Sequence, residues 1–430
     1  MNWEPSDGGF VLLGMPDVHG SIRGKAFRPA AYRSAVDEGT VMTDLWLGLD
    51  PVDMPIADYQ DYGINTGAPD LMLQPDPDTL RPLAWRPGWG ICLADPSWPD
   101  GSRCTLASRE LLRDILSDLA DMGYEVMAGF EYEVRIRDEE DQPLSSGISY
   151  SLGEIGRFDR LLEVLVPALE GLGVNLEAVH TEAGPGLLEL NIAARRGLRA
   201  ADDAALLKFA VKEVAASLGL TASFLAKTMP LEEGSSGHIH LSFWQGDQNA
   251  FAPDADGAFP ATCMAALGGI LEHLPAASLL VNPTINSYKR LVPGYFAPVN
   301  VSWGYENRSA SVRAIRGNRP ARSRLECRRP GADANPYLAL AALVASAVIG
   351  IREGSVPPAP EAKDVSERAD LPALPNSLES ALRAFRDDSA LQEALSKEFS
   401  GYYAISRAWE LRAWQESVSD WERERYTRAV

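Results

Sequence analysis

The chain has 430 residues, 46% hydrophobic and 23% charged, the balance of an ordinary globular protein long enough for more than one domain. Its formal net charge of −20 leaves no basic surplus for a nucleic-acid backbone, and the opening MNWEPSDGGFVLLGM lacks the basic-then-apolar order of a signal peptide. Cys92, Cys104, Cys263 and Cys327 are scattered without a CxxC pair, which argues against a disulfide framework or zinc ribbon and fits reduced thiols in a cytoplasm.

The first hundred residues read as short strands, turns and proline-rich loops, from GFVLLGMPDVHGSIRGKAF to LMLQPDPDTLRPLAWRPGWGICLADPSWPDGS. The texture then changes. From Ser108, SRELLRDILSDLADMGY places Leu111, Leu112, Ile115, Leu116, Leu119 and Met122 on one helical stripe, which Gly123 ends. A domain boundary is expected near residue 105, giving units 1–105 and 106–430. Further helices are predicted near 156–173, 201–217, 258–274, 334–352 and 376–386, with a helical tail from about 388. The apolar run Tyr337–Ile351 is short and alanine-rich for a membrane span and reads as a buried helix opened by Asn335-Pro336. Neither nucleic acid nor membrane is an expected partner.

Chemistry first shows in GFEYEVRI, Gly129 to Ile136. A strand presents one face every second residue, so Glu131, Glu133 and Arg135 share a face, with the two carboxylates about 7 Å apart at a rise of roughly 3.3 Å per residue. Phe130, Tyr132, Val134 and Ile136 take the other face. The pattern recurs in GHIHLSF, where His238, His240 and Ser242 oppose Ile239, Leu241 and Phe243, and in SRLECRR, where Arg324, Glu326 and Arg328 oppose Leu325 and Cys327. In HTEAGPGLLELNI, Glu182 lies in a Gly-Pro turn and Glu189 on the strand that follows. A merely solvated sheet face mixes Thr, Lys, Ser and Gln; these faces hold Glu, His and Arg. Converging glutamates and histidines suit hard divalent cations, and arginines beside them suit phosphate or carboxylate. The irregular, apolar stretch from Asn282 to Ile315 adds Arg290, Arg308 and Arg313.

NPTINSYKRLVPGY, NRSASVR, RLECRRPGADANPYLALAA, GHIH, FEYE and EAGPGLLE together resemble the glutamine synthetase superfamily, type I branch, over about Asp17 to Asp370. The resemblance implies an α+β fold: a small N-terminal β-grasp domain, and a large catalytic domain whose mostly antiparallel, curved sheet lines a polar funnel, as in guanidino kinases. It implies homo-oligomeric rings, hexameric or dodecameric, in which the N-terminal domain contributes to a neighbouring subunit's site. The substrates implied are ATP and L-glutamate, with two or three Mg²⁺ or Mn²⁺ ions per site. One ion would be held by Glu133, Glu182 and Glu189, and another by Glu131, His238 and Glu326. His240, Ser242, Arg313 and Arg324 match ATP-binding positions, and Arg308 one that steadies the transferred phosphoryl group. Gly234, Arg290 and Arg328 match glutamate-binding positions, and Glu182 also stands on the ammonium side.

The departures cluster where ammonium would sit. Family members that form glutamine carry PGYEAP in the flap, whereas this chain carries PGYFAP with Phe296 in the glutamate's place. Thr43, Asp44 and Trp46 fall where an Asp-Gly-Ser-Ser stretch is usual, Leu187 replaces a glutamine, and Glu233 an asparagine. The family's adenylylated tyrosine aligns with Ala369, so that modification is not expected. Replacing carboxylate and amide by carbon makes a poor ammonium trap and a pocket that gains about 25 cal/mol per Å² from burying an organic skeleton. The sequence thus points to an ATP-dependent glutamate–amine ligase, with an alkyl or aromatic monoamine favoured over a polyamine. Thr43, Asp44, Trp46, Leu187 and Phe296 would line the amine pocket. The competing readings are a true glutamine synthetase and a non-catalytic ring.

Overall fold

A computed structural model describes residues 3–430. Near the N-terminus β1 (Val11–Pro16), β2 (Ile22–Phe27), β3 (Thr40–Thr43), β4 (Asp70–Pro75), β5 (Arg81–Pro82) and β6 (Gly90–Ser97) form one sheet in the order β2-β1-β6-β4-β3, with β5 beside β6. Helix α1 (Pro29–Glu38) packs against it. That helix departs from the expected strands and turns: Pro29 pre-sets the first helical residue, and Tyr32 and Ala35 are buried one turn apart.

Helix α2 (Ser108–Asp121) leads into the second sheet, whose central strand is β7 (Glu125–Arg137). The others are β8 (Leu176–Thr181), β9 (Leu187–Ile192), β10 (Arg195–Arg196), β11 (Thr221–Ser223), β12 (Gly237–Gln245), β13 (Gln248–Asn249), β14 (Trp303–Tyr305), β15 (Val312–Ile315) and β16 (Arg324–Cys327). The path runs β14-β15-β16-β12-β7-β9-β8 and is antiparallel except for β14 against β15. This is the α+β architecture the motifs imply.

Helices α4 (Asp159–Leu172), α5 (Leu198–Ser217), α6 (Ala261–Val281) and α8 (Pro336–Glu353) follow the expected segments, whereas the short α3 (Leu152–Ile155) and α7 (Ser287–Arg290) lie outside them. Helix α6 continues past Pro275 to Val281, beyond the predicted end at 274. The Asn282–Ile315 stretch is less irregular than its prolines suggest, because α7, β14 and β15 interrupt it. The tail folds as α9 (Leu378–Asp387), α10 (Ser389–Ala394), α11 (Lys397–Glu416) and α12 (Asp420–Tyr426). Helices α6 and α8 are long and apolar enough to span a bilayer, yet they pack on each other with 78% and 83% of their apolar windows buried. Asn335 caps α8 by accepting from the Tyr337 and Leu338 N–H groups, ahead of Pro336 at the first helical position. All four cysteines are free and buried.

Several polar links join the N-terminal sheet and its loops to the rest, among them one from Asn335 and one from Arg109. Asn335 Nδ2 donates to Asp17 O at 2.9 Å. Buried Arg109 on α2 reaches Asp76 (2.8 Å), Asp95 (2.5 Å) and Asp202 of α5 (3.0 Å), and Tyr337 donates to Asp202 at 2.7 Å. Removing the cation would leave carboxylates facing one another in a dry interior. Arg109→Met should therefore cost about 3–5 kcal/mol, read as a large fall in the thermal midpoint. Arg109→Lys should recover little, because an ammonium cannot span three acceptors in the guanidinium's fork.

His273 on α6 meets Asp388, the N-cap of α10, at 2.7 Å. Burial works against the charged ring, but Asp388, helped by Glu272 and Glu353, raises its pKa above the ordinary 6.5. A raised folded-state pKa gives stability that is complete below the unfolded value and is lost as pH climbs through the folded one. The thermal midpoint of the wild type should thus exceed that of His273→Gln most near about pH 6, the gap narrowing toward about pH 9. A gap independent of pH would refute this.

A two-cluster carboxylate site on the sheet's polar face

Cross-strand register assembles the site. On β12, His238 stands opposite Glu131 of β7, and His240 opposite Gly129. His240 also faces Glu326 of β16, which faces Arg313 of β15. On the other side, Glu133 of β7 faces Glu189 of β9, which faces His180 of β8. Directly paired residues project to the same side of a sheet, so one face carries this whole row of charged side chains. The reverse face, with Phe130, Tyr132, Val134, Ile239, Leu241, Phe243, Leu188 and Leu190, is buried in the core.

Two clusters result. Ligand atoms of Glu131, His240 and Glu326 lie within 4.8 Å of one another, as do those of His180, Glu182 and Glu189. In the first, His240 Nε2 is 3.0 Å from Glu131, while Arg324 Nε donates to His240 Nδ1 at 3.0 Å. His238 Nδ1 is 3.8 Å from Glu131 and 3.7 Å from Glu326. Glu326, 1% exposed, accepts from Arg313 at 3.1 Å and from Arg328. In the second cluster His180 lies 3.3 Å from Glu182 and 3.1 Å from Glu189, to which Asn191 also donates at 2.8 Å. Glu133 accepts from the Ser236 N–H at 2.7 Å.

The electrostatics differ between the clusters. Burial opposes ionisation of Glu131 and Glu326. The neighbouring imidazoles outweigh it at Glu131, holding the carboxyl far below its ordinary range, and with Arg328 they bring Glu326 to about 2. Burial and then Glu189 push Glu133 up to about 8, and the same two causes raise Glu182. On the Glu133 side Arg290 acts against this rise but is outweighed by burial and the neighbouring carboxylates. His238 Nε2 is buried with no hydrogen-bond partner among the described residues, while His240 Nε2 and His180 Nδ1 face Glu131 and Glu182 at 3.0 and 3.3 Å. Carboxylates and imidazole nitrogens crowded on one face form a donor set that suits divalent cations.

Beside the first cluster, a cavity of about 530 Å³ is lined by Gly129, Glu131, His240, Arg322 and Arg324. The missing side chain at Gly129, directly across from His240, leaves this space. Ser242 is buried and accepts from Trp244 Nε1 at 2.9 Å. Arg308 is exposed, and its carbonyl accepts from Arg328 Nε at 2.9 Å. Arg290 is buried, donating to Ser236 Oγ at 3.2 Å and to Arg329 O at 2.5 Å. Gly234 is required there, since a Cβ would come within 2.3 Å of Arg290 Cγ.

Several expected residues stand otherwise. Arg135, aligned with the glutamates, is buried as a clamp: it donates to Pro185 O and Glu233 O, each at 2.6 Å, and pairs with Glu232. Asp44 and Trp46 do not line an open pocket. Asp44 opens a 3₁₀ turn and accepts from the Gly63 N–H at 3.0 Å, while Trp46 packs in the core. Leu187 shares the face of Glu189 but is fully covered where β9 meets β7. Half-buried Thr43 donates to Ala68 O at 2.9 Å. Phe296, by contrast, is 58% exposed at φ 51°, a left-handed conformation that costs an L residue about 1 kcal/mol or more.

Two site residues escape sequence reasoning. His180 belongs to the second cluster, and the exposed Tyr150 stacks on its ring at 4.7 Å. An aromatic residue isolated in the small-residue loop SSGISYS was the available signal for Tyr150.

Residues 105–426 match the family model described as glutamine synthetase, catalytic domain. The chain is similar to a glutamate–isopropylamine ligase of Pseudomonas sp, 33% identical over 97% of this chain and 94% of that one. It is similar to the γ-glutamylethanolamide synthetase GlnA4 of Streptomyces coelicolor, 34% identical over 96% and 91%. It also resembles the type-1 glutamine synthetase 2 of Dictyostelium discoideum, 31% identical over 98% and 84%. Among solved structures, a GmaS/ADP complex superposes with a TM-score of 0.86 at 28% identity, covering 97% of this chain and 96% of that one.

Two clusters should mean two separable cation sites. Titration with Mn²⁺ followed by electron paramagnetic resonance should resolve two classes of ion. His180→Ala should weaken one class about tenfold or more, and Glu326→Ala the other. A single variant abolishing both would show one shared site.

Proposed function

The chain belongs to the glutamine synthetase family, and on that footing we propose that it couples the γ-carboxylate of L-glutamate to an organic amine at the expense of ATP. The observation that carries this reading is Tyr150 laid on His180 beside Glu182, together with the exposed Phe296 at the position where glutamine-forming members carry a glutamate. An ammonium ion asks for carboxylates on every side; an alkyl or aryl amine asks for carbon to cover its skeleton and one acceptor for its proton. Amine-using names among the relatives support the same direction.

In this scheme a γ-carboxylate oxygen of glutamate attacks the γ-phosphorus of ATP. The bond to ADP breaks as the new O–P bond forms, giving an acyl phosphate. The neutral amine nitrogen then attacks the acyl carbon, and phosphate leaves with the electron pair of the C–O bond. Divalent cations held by the two carboxylate clusters would supply counter-charge to the phosphates. The chain's own work is positional and electrostatic. Arg313 and Arg324 flank the nucleotide side, with His240 oriented by Arg324, and Arg308 reaches the transferred group. Arg290 and Arg328 serve the carboxylates of glutamate at the loop pinned by Gly234. Glu182 is the base that takes the amine's proton. The N-terminal unit closes the site of a neighbouring subunit in a ring, with Thr43 as its contribution.

A second reading, ammonia as the nucleophile, is favoured by the density of carboxylate around Glu182. ADP release with glutamate, ATP and Mg²⁺ across ammonium, ethanolamine, isopropylamine, putrescine and aniline separates the two. An organic amine should exceed ammonium in kcat/KM. Phe296→Glu should shift the amine-to-ammonium ratio toward ammonium by about 10–100-fold. A wild type that prefers ammonium would make the chain a glutamine synthetase.

A further inference from the structure

Away from the carboxylate clusters, a cavity of about 910 Å³ opens between the two units of the chain. One wall is α1 with the segment from β4 to β5; the other is the end of α4 and the start of α5. Two guanidiniums converge on its floor. A side-chain carbon placed on Gly173 would meet Arg199 Nη2 at 3.1 Å and Arg81 Nε at 3.5 Å, so both cations crowd one point. Arg199 is held by Asp203 and by Gly173 O. Arg81 has only its neighbour's carbonyl, Leu80 O at 2.8 Å, and no carboxylate within pairing distance among the described residues. Both arginines are half-buried, whereas the acids lining the same cavity, Glu4, Asp37, Asp78 and Glu170, are exposed at the rim. Trp3, Val36, Leu80 and Pro82 give the cavity an apolar portion beside Arg33 and the rim acids.

Asp203 meets the charge of Arg199, while Arg81 stands beside that cation with a backbone carbonyl as its one acceptor among the described residues, so it is the guanidinium left to take an anion. Burial and the adjacent Arg199 both lower the pKa of Arg81, as that crowding requires. We propose that this cavity is a second ligand site, separate from the reaction centre, for a small carboxylate with a compact apolar or aromatic body. A carboxylate offers two oxygens to two guanidinium forks, and the carbon body takes the place of water against Trp3, Val36 and Pro82. Because the walls belong to different units, the occupant ties the N-terminal sheet to α4 and α5.

The test uses ligand-observed NMR and calorimetry on the full-length oligomer, with phenylacetate as the probe and phenylacetamide and inorganic phosphate as controls. Phenylacetate should bind at millimolar concentration, at least about tenfold more tightly than either control, and should remain bound at saturating ATP and glutamate. Arg81→Gln should weaken it at least about tenfold, and Val36→Trp, which fills the cavity from the opposite wall, should abolish it. Both variants should keep the wild-type thermal midpoint and glutamate-dependent turnover, since neither side chain carries an ion pair or touches the carboxylate clusters. The proposal fails if phenylacetate shows no saturable binding up to about 10 mM. It also fails if neither variant changes binding, or if ATP and glutamate displace the probe. Phosphate binding as tightly as phenylacetate would remove the apolar half of the assignment.

Discussion

Glu326 is 1% exposed and yet ionised, and the remainder of the site is arranged around keeping it so. A lone carboxylate in that position would take up a proton, because burial penalises the charged form more than any other influence on it. Arg313 from the neighbouring strand and Arg328 from two residues along both donate to it, while His238 and His240 stand above it on β12. Three of these partners are themselves held: His240 by Arg324, Arg328 by the Arg308 carbonyl and Arg313 by Glu306. The charges form a ring of mutual support. The opposite cluster has no such surplus of cations, and there burial pushes Glu133 to about 8. One end of the funnel is therefore internally balanced, and the other depends on charge brought in from outside.

The polar row can exist because its reverse is uniformly apolar. Phe130, Tyr132 and Val134 alternate with Glu131 and Glu133 along β7 and are at most 2% exposed. A slip of one residue in register would bury carboxylates in the core and expose aromatics, so the sheet has a single tolerable pairing. Helices α2 and α5 pack against β7, the apolar α8 lies against both of them and against α6, and the aspartates around Arg109 hold the N-terminal unit in place.

This division of faces is what the linear pattern made legible. Alternation in FEYE and GHIH identifies the polar side of β7 and β12 without any knowledge of their neighbours, and Asn335-Pro336 marks where α8 begins. What the pattern could not carry was pairing across strands. His238 and His240 have identical parity, and only the register against Glu131 and Glu326 separates them. His180 meets Glu189 across a hairpin, so nothing in its own segment announces it. Whether a turn residue faces inward is likewise decided by tertiary packing. Asp44 found the Gly63 N–H, Trp46 found a core, and Leu187 was covered, whereas Phe296 stayed outside. Arg135 shares parity with the glutamates, and its role follows from two carbonyls that come from distant parts of the chain.

Those two carbonyls belong to separate segments that Arg135 fastens together. Arg135 grips Pro185, in the turn after Glu182, and Glu233, next to Gly234, so one rigid plane bridges the turn of the second cluster and the loop that abuts Arg290. A guanidinium bonded at both ends transmits displacement in either direction. The turn and the loop are thereby held at a fixed spacing by one side chain that belongs to neither carboxylate cluster.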